Sequence, residues 1–207
     1  MIKKHLSLTE INSMISFKIK YRLSTHGFTL VELGVVLAIV AVLAAIATPV
    51  LFAWLPNVRL NGAARDLYAT IMKAKGEAAK HNSRCTLTFN QTLPDGITYA
   101  YVLFVDNAPS NSSYDAGEAV LLRVQQWPQG VTLDPAMGGG DGLSFPNRGP
   151  GCAGNPALSF GPNALPVNDA CGLANGTAFL IKASDIGILN RHTKNVAVNI
   201  TGNVSID

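Results

Sequence analysis

The chain has 207 residues, enough for one membrane-spanning helix and one globular head but too few for two large domains besides. Its formal charge of +3 misleads: Lys3, Lys4, Lys18, Lys20 and Arg22 against Glu10 put +4 into residues 1–27, leaving −1 for the rest. A nearly neutral remainder excludes a strong electrostatic funnel for nucleic acid.

Residues 1–27 read as a targeting segment that takes no part in the fold. Met14 offers a second start, and the shorter version keeps Lys18, Lys20 and Arg22. Basic residues ahead of an apolar run hold that end in the cytoplasm and send the following chain outward.

Gly27-Phe28-Thr29-Leu30-Val31-Glu32 follows, and from Leu33 to Leu55 there is no Asp, Glu, Lys or Arg. Roughly 20 apolar residues suffice for a helix to cross a hydrocarbon core about 30 Å thick. Glu32 stands at the start of this run, where a carboxylate is expensive; at mid-bilayer depth the cost is about 2.5–3.5 kcal/mol. The helix offers it no partner within reach. A cut after Gly27 would turn the amine of Phe28 into a cation at the same depth. Pro49 lacks an amide hydrogen and crowds the carbonyl four residues earlier, so a bend or local opening is expected there. Gly34, Ala38, Ala41, Ala44, Ala45 and Ala47 give small faces that either serve close packing against other apolar helices or simply reflect how common alanine is in helices.

This sextet ahead of an apolar helix resembles the class III signal peptide of type IV pilins and type II secretion pseudopilins. The resemblance implies that a prepilin peptidase cuts after Gly27 and methylates Phe28, that Glu32 pairs with a neighbouring subunit's N-terminus, and that Pro49 is the helix-bending proline. It divides the chain into a leader, 1–27, a transmembrane and assembly helix, 28–55, and a periplasmic pilin-like head, 56–207. The implied partners are other pilin or pseudopilin subunits, the peptidase, the inner membrane and secreted cargo, with no catalysis and no cofactor. The plain alternative is an ordinary signal anchor, a solitary surface protein that happens to carry Glu32.

From Val58 to about residue 83 the pattern turns amphipathic. Leu60, Ala64, Leu67, Ile71, Ala74 and Ala78 follow a 4-3-4-3-4 spacing, while Arg65, Asp66, Lys73, Lys75, Glu77 and Lys80 take other faces. This stripe should pack on a sheet, and Pro56 still permits one long spine. Strands are expected at Cys85–Phe89, Ile97–Val105, Ala119–Gln126, Val131–Leu133, Ala157–Phe160, Thr177–Ile181 and Val196–Ile200. A closing hairpin around Gly202 should use a type II′ turn. Helix first and strands after imply an α+β fold, the helix lying across an antiparallel sheet. The head is similar to the pseudopilin H and FimT minor pilin branch. The residues that carry this likeness are Phe104-Val105-Asp106-Asn107, Asp115-Ala116-Gly117-Glu118 before Val120-Leu121-Leu122-Arg123, Leu158-Ser159-Phe160-Gly161 and Gly176-Thr177-Ala178-Phe179-Leu180.

Cys152 and Cys171 fall in a Gly/Pro/Asn-rich excursion expected outside the cytoplasm, where disulfides persist. Their pairing is the preferred reading, leaving Cys85 alone, although sequence does not fix connectivity. No C-x2-C or His pair points to a metal, and neither a nucleophile elbow nor a P-loop is present. Asp106, Asn107, Asn111, Asp115 and Glu118 place several oxygen ligands in one loop, which invites calcium; the spacing departs from an EF-hand, and an ordinary hairpin loop is preferred. Arg191, His192 and Lys194, with Lys182 as a neighbour, could hold a few phosphates, and some FimT-like minor pilins contact DNA. The aromatic residues wanted for single strands are missing, so a solvated turn is preferred to DNA.

Overall fold

The computed structural model describes residues 27–107, 111–138, 142–144, 156–167, 176–188 and 192–207. It divides into two compact units, Met1–Ala47 and Thr48–Asp207. One helix, α1, is assigned over Leu30–His81 and contributes to both.

In the first unit every described residue is exposed, apolar ones included. The start of α1 is fixed by Thr29: its hydroxyl oxygen accepts the Glu32 amide at 3.1 Å, and its carbonyl accepts the Leu33 amide at 3.1 Å. Thr29-Leu30-Val31-Glu32 is therefore the T-x-x-E arrangement that satisfies free amides in a first turn. Pro49 and Pro56 both lie within the assigned helix, and each removes one amide-to-carbonyl bond, at Ala45 and Phe52.

In the second unit α1 buries Leu60, Ala63, Ala64, Leu67, Thr70, Ile71, Ala74 and Ala78, which contains the whole expected stripe. The helix ends where Asn82 turns left-handed at φ 47°. Asn82 and Ser83 amides then reach back to the Ala79 and Ala78 carbonyls at 3.3 and 3.2 Å. Lys80 and His81 sit in the last turn, where cations suit the helix dipole, and both meet Glu77, at 3.0 and 3.2 Å.

The strands are β1 (Arg84–Thr92), β2 (Thr98–Asp106), β3 (Val120–Val124), β4 (Val131–Leu133), β5 (Leu143–Ser144), β6 (Ala157–Phe160), β7 (Gly176–Lys182), β8 (Thr193–Val198) and β9 (Val204–Ile206). They form two antiparallel sheets rather than one. The first runs β3-β2-β1-β6; the second runs β4-β7-β8-β9, with β5 also paired to β7. The short β4 and β5 take successive parts of one β7 edge, Leu133 opposite Leu180 and Leu143 opposite Ala178.

Alternation sorts the first sheet's side chains by face. Cys85, Leu87, Phe89, Tyr101, Leu103, Val105, Leu158 and Phe160 join the buried face of α1 and Leu133, Leu180, Val196 and Val198 of the second sheet in one core. Val102 and Phe104 form a smaller cluster with Leu93 and Tyr99, against which Tyr114 and Val120 pack.

The final hairpin corrects one expectation. Gly202 does take positive φ, 77°, but as the last of three loop residues rather than the first of two. Its amide reaches the Asn199 carbonyl at 2.9 Å, and Asn199 Oδ1 accepts the amides of Thr201 and Asn203 at 3.0 and 2.9 Å. Those bonds favour a three-residue turn over type II′.

Candidate functional site

The segment with the sharpest sequence signal is laid open. Gly27, Phe28 and Thr29 precede the first helical residue, and Phe28 and Leu30 are 76 % and 88 % exposed. Among the described residues nothing lies within 4 Å of where a Cβ at Gly27 would stand, so the fold places no demand for glycine there. Glu32 is exposed in the first turn, and no described side chain pairs with its carboxylate. Thr29, overlooked in the sequence reading, orients this turn; the T-x-x-E spacing would have revealed it.

The loop between β2 and β3 puts its acids to internal use. Glu118 Oε1 accepts the Asn107 amide at 2.8 Å and Oε2 the Asp115 amide at 2.9 Å, while Asp115 accepts from the Asn111 side chain at 3.1 Å. Burial holds the Glu118 carboxyl above its ordinary range. Among the described residues no three or more His, Cys, Asp or Glu converge as a metal site.

Asp106 turns inward instead. Its Oδ2 accepts the Thr86 hydroxyl and the Ser112 amide, each at 2.9 Å, and both hydroxyls meet Ser159 Oγ at 2.8 Å. All four residues are buried, and Ser112 is held at φ 59°. Burial pushes the Asp106 carboxyl up to about 6, against the bonds from Thr86 and Ser112 and the nearby Arg84 charge, which lower it. This locks the loop onto the first sheet.

Cys85 is buried, and burial above all pushes its thiol up to about 11, which makes it inert packing rather than a nucleophile. Cys152 and Cys171 lie outside the described residues, as do residues 1–26 and Arg191. His192 and Lys194 come together with Asn57, Leu60 and Asn61 of α1 around a cavity of about 300 Å³, a grouping that local sequence could not show. Another cavity, about 400 Å³, opens beside Tyr101 and Trp127, whose rings lie 5.1 Å apart.

A capped, outwardly apolar N-terminal helix that continues into an α+β head is the architecture of a pilin-like subunit. Residues 63–202 match the family model described as Type II transport protein GspH, and residues 22–48 match the prokaryotic N-terminal methylation motif. The chain belongs to the GspH family, a type IV pilin-like family. Pilin-like protein PilA1 of Thermus thermophilus is 33% identical over 149 residues, 70% of this chain and 81% of that one. The crystal structure of the type IV minor pilin FimU from Pseudomonas aeruginosa aligns with 73% of this chain and 90% of its own at 12% identity and TM-score 0.42.

Proposed function

We propose that the chain is a minor subunit of a type II secretion pseudopilus or type IV pilus, processed and then assembled through its N-terminal helix. A prepilin peptidase removes the leader, 1–27, and methylates the new N-terminus at Phe28. Residues 28–55 first anchor the subunit in the inner membrane and later pack it in the filament, with residues 56–207 as a periplasmic head stapled by Cys152–Cys171. Pro49 bends the assembly helix. The head meets neighbouring subunits or cargo, and the subunit catalyses nothing.

The observation that carries this reading is the open stretch Gly27–Thr29 directly before a capped turn bearing Glu32. The bond to be cut lies in exposed, non-helical backbone. Glycine at 27 answers to no contact within the described fold, which leaves that position free to be read by a recognising enzyme. Glu32 is costly in lipid when alone and tolerable when paired with a Phe28 amine from another copy. Pairing thus sets axial register, while the apolar helix surface supplies packing without direction.

Intact-mass and N-terminal peptide analysis of membrane-derived protein tests the processing step. The mature chain should begin at Phe28 and carry one methyl group. Gly27→Leu should insert and fold normally yet stay unprocessed. A mature start at any other residue would remove the basis of this reading.

A further inference from the structure

The cavity lined by Asn57, Leu60, Asn61, His192, Thr193 and Lys194 is placed where a membrane surface would be, if the anchored reading above is right. Helix α1 continues through Leu51, Phe52, Trp54 and Leu55, all exposed, into Asn57. At 1.5 Å of rise per residue, Asn57 and Asn61 stand about 3 and 9 Å beyond Leu55. A headgroup layer is roughly 5–7 Å deep on each side of the hydrocarbon core. Trp54, an aromatic at the end of the apolar run, suits the same interface.

The sheet brings the charges to this level. Val131 pairs with Lys182 and Ile181 with Thr193, so the start of β4, the end of β7 and the start of β8 share one end of the second sheet. Arg59 lies within the same turn of α1 and donates to the Gln129 carbonyl at 3.3 Å, just before β4. Lys182 is held by Asp185 at 3.0 Å, so that ammonium is already paired. Lys194, half-buried, pairs with no carboxylate among the described residues. Among the described residues the cavity wall offers an ammonium, two side-chain amides, a hydroxyl and an imidazole, while the nearby Asp185 carboxylate lies outside that wall and is paired to Lys182. That set suits a phosphate oxygen better than any cation.

We propose that this cavity takes the phosphate of an anionic glycerophospholipid from the leaflet where α1 emerges, steadying the membrane-resident subunit before assembly. Asn57 and Asn61, one turn apart on the helix, face the phosphate from one side, and Lys194 supplies the counter-charge from β8. Leu60 between them keeps the floor apolar. Assembly into a filament would require this contact to be released, so lipid binding and assembly compete.

The test uses the full-length chain in detergent, with retained lipid read by native mass spectrometry after addition of phosphatidylglycerol or phosphatidylcholine. Phosphatidylglycerol should be retained in preference, and Lys194→Gln should reduce that retention about fivefold, the effect of one cation near a charged surface. Lys194→Arg should restore it, and Asn57→Ala, at an exposed position that cannot disturb the core, should weaken it too. Equal retention by wild type, Lys194→Gln and Asn57→Ala would overturn the proposal. So would inorganic phosphate displacing the lipid, which would make this a free-anion site, or a short single-stranded DNA doing so with the same variant dependence. Flotation with phosphatidylcholine vesicles tests the anchor separately. A chain that fails to float defeats the anchored reading, whereas one that floats without preferring phosphatidylglycerol defeats the cavity alone.

Discussion

Asp106 is 1 % exposed and carries a carboxyl pushed up to about 6, so its titration is linked to folding. An unfolded aspartate titrates near 3.9. Because the folded value is the higher, the stability this group contributes is complete below about pH 4 and is lost as pH rises through 6. At neutral pH the loss is on the order of 3 kcal/mol, two pK units at 1.36 kcal/mol each. Asp106→Asn keeps an oxygen to accept from Thr86 and Ser112 but has no proton to lose. Denaturant titrations of wild type and variant between pH 4 and 7 should therefore diverge, with the variant the flatter. Parallel pH profiles would show that the carboxyl is not desolvated as described. Residue-scale facts of this kind were poorly legible in the sequence: Asp106 stood among five oxygen-bearing loop residues, and nothing local told the buried one from those at the surface.

At the scale of elements, α1 was legible because its signal is local. The 4-3 spacing of Leu60, Ala64, Leu67, Ile71, Ala74 and Ala78 can be counted, and all six are buried. Leu67 has no exposed surface, whereas Met72, five residues on and on another face, is 42 % exposed. Leu67→Ala should cost about 2–5 kcal/mol, and Met72→Ala no more than about 0.5 kcal/mol, by thermal or denaturant unfolding. Similar losses for both would mean that α1 packs through another face. Strand positions were equally local, and Val131–Leu133 and Ala157–Phe160 fell where expected. Strand partners were not. β6 pairs with β1 across some seventy residues, Cys85 opposite Phe160, and that choice is made by the whole core. The two-residue β5 is too short to show alternation, so the second sheet could not be separated from the first. The excursion between β5 and β7 carries the proposed Cys152–Cys171 bond, worth about 3 kcal/mol in the chain-entropy model. Non-reducing peptide mapping of protein from the periplasmic face should recover that linked pair; two free thiols would refute it.

For the whole molecule, α1 plays two parts: its residues from Leu60 to Ala78 complete the core of the head, and its earlier apolar residues are exposed. Leu60 is the first buried residue of α1, and in the proposed function the apolar side chains before it pack against lipid and then against other subunits. Much of this was legible from one stretch, because six residues, a basic flank and an uncharged run agree. The sequence said less about Thr29, whose cap holds the Glu32 turn in helical form. In the proposed function Glu32 joins subunits rather than merely sitting in an anchor. Crosslinking to filament partners, with processing followed by gel shift, separates the two using Glu32→Leu and Glu32→Gln. The second variant removes only the charge and keeps a side chain able to complete the Thr29 cap. Both should insert at least as well as wild type and be cut after Gly27, since a neutral residue is cheaper in lipid. Both should fail to crosslink, because the Phe28 amine of a neighbour would be buried without its counter-charge, at roughly 3–5 kcal/mol. Variants that are processed and still crosslink like wild type would contradict an assembly role for Glu32 and leave a solitary anchor in its place.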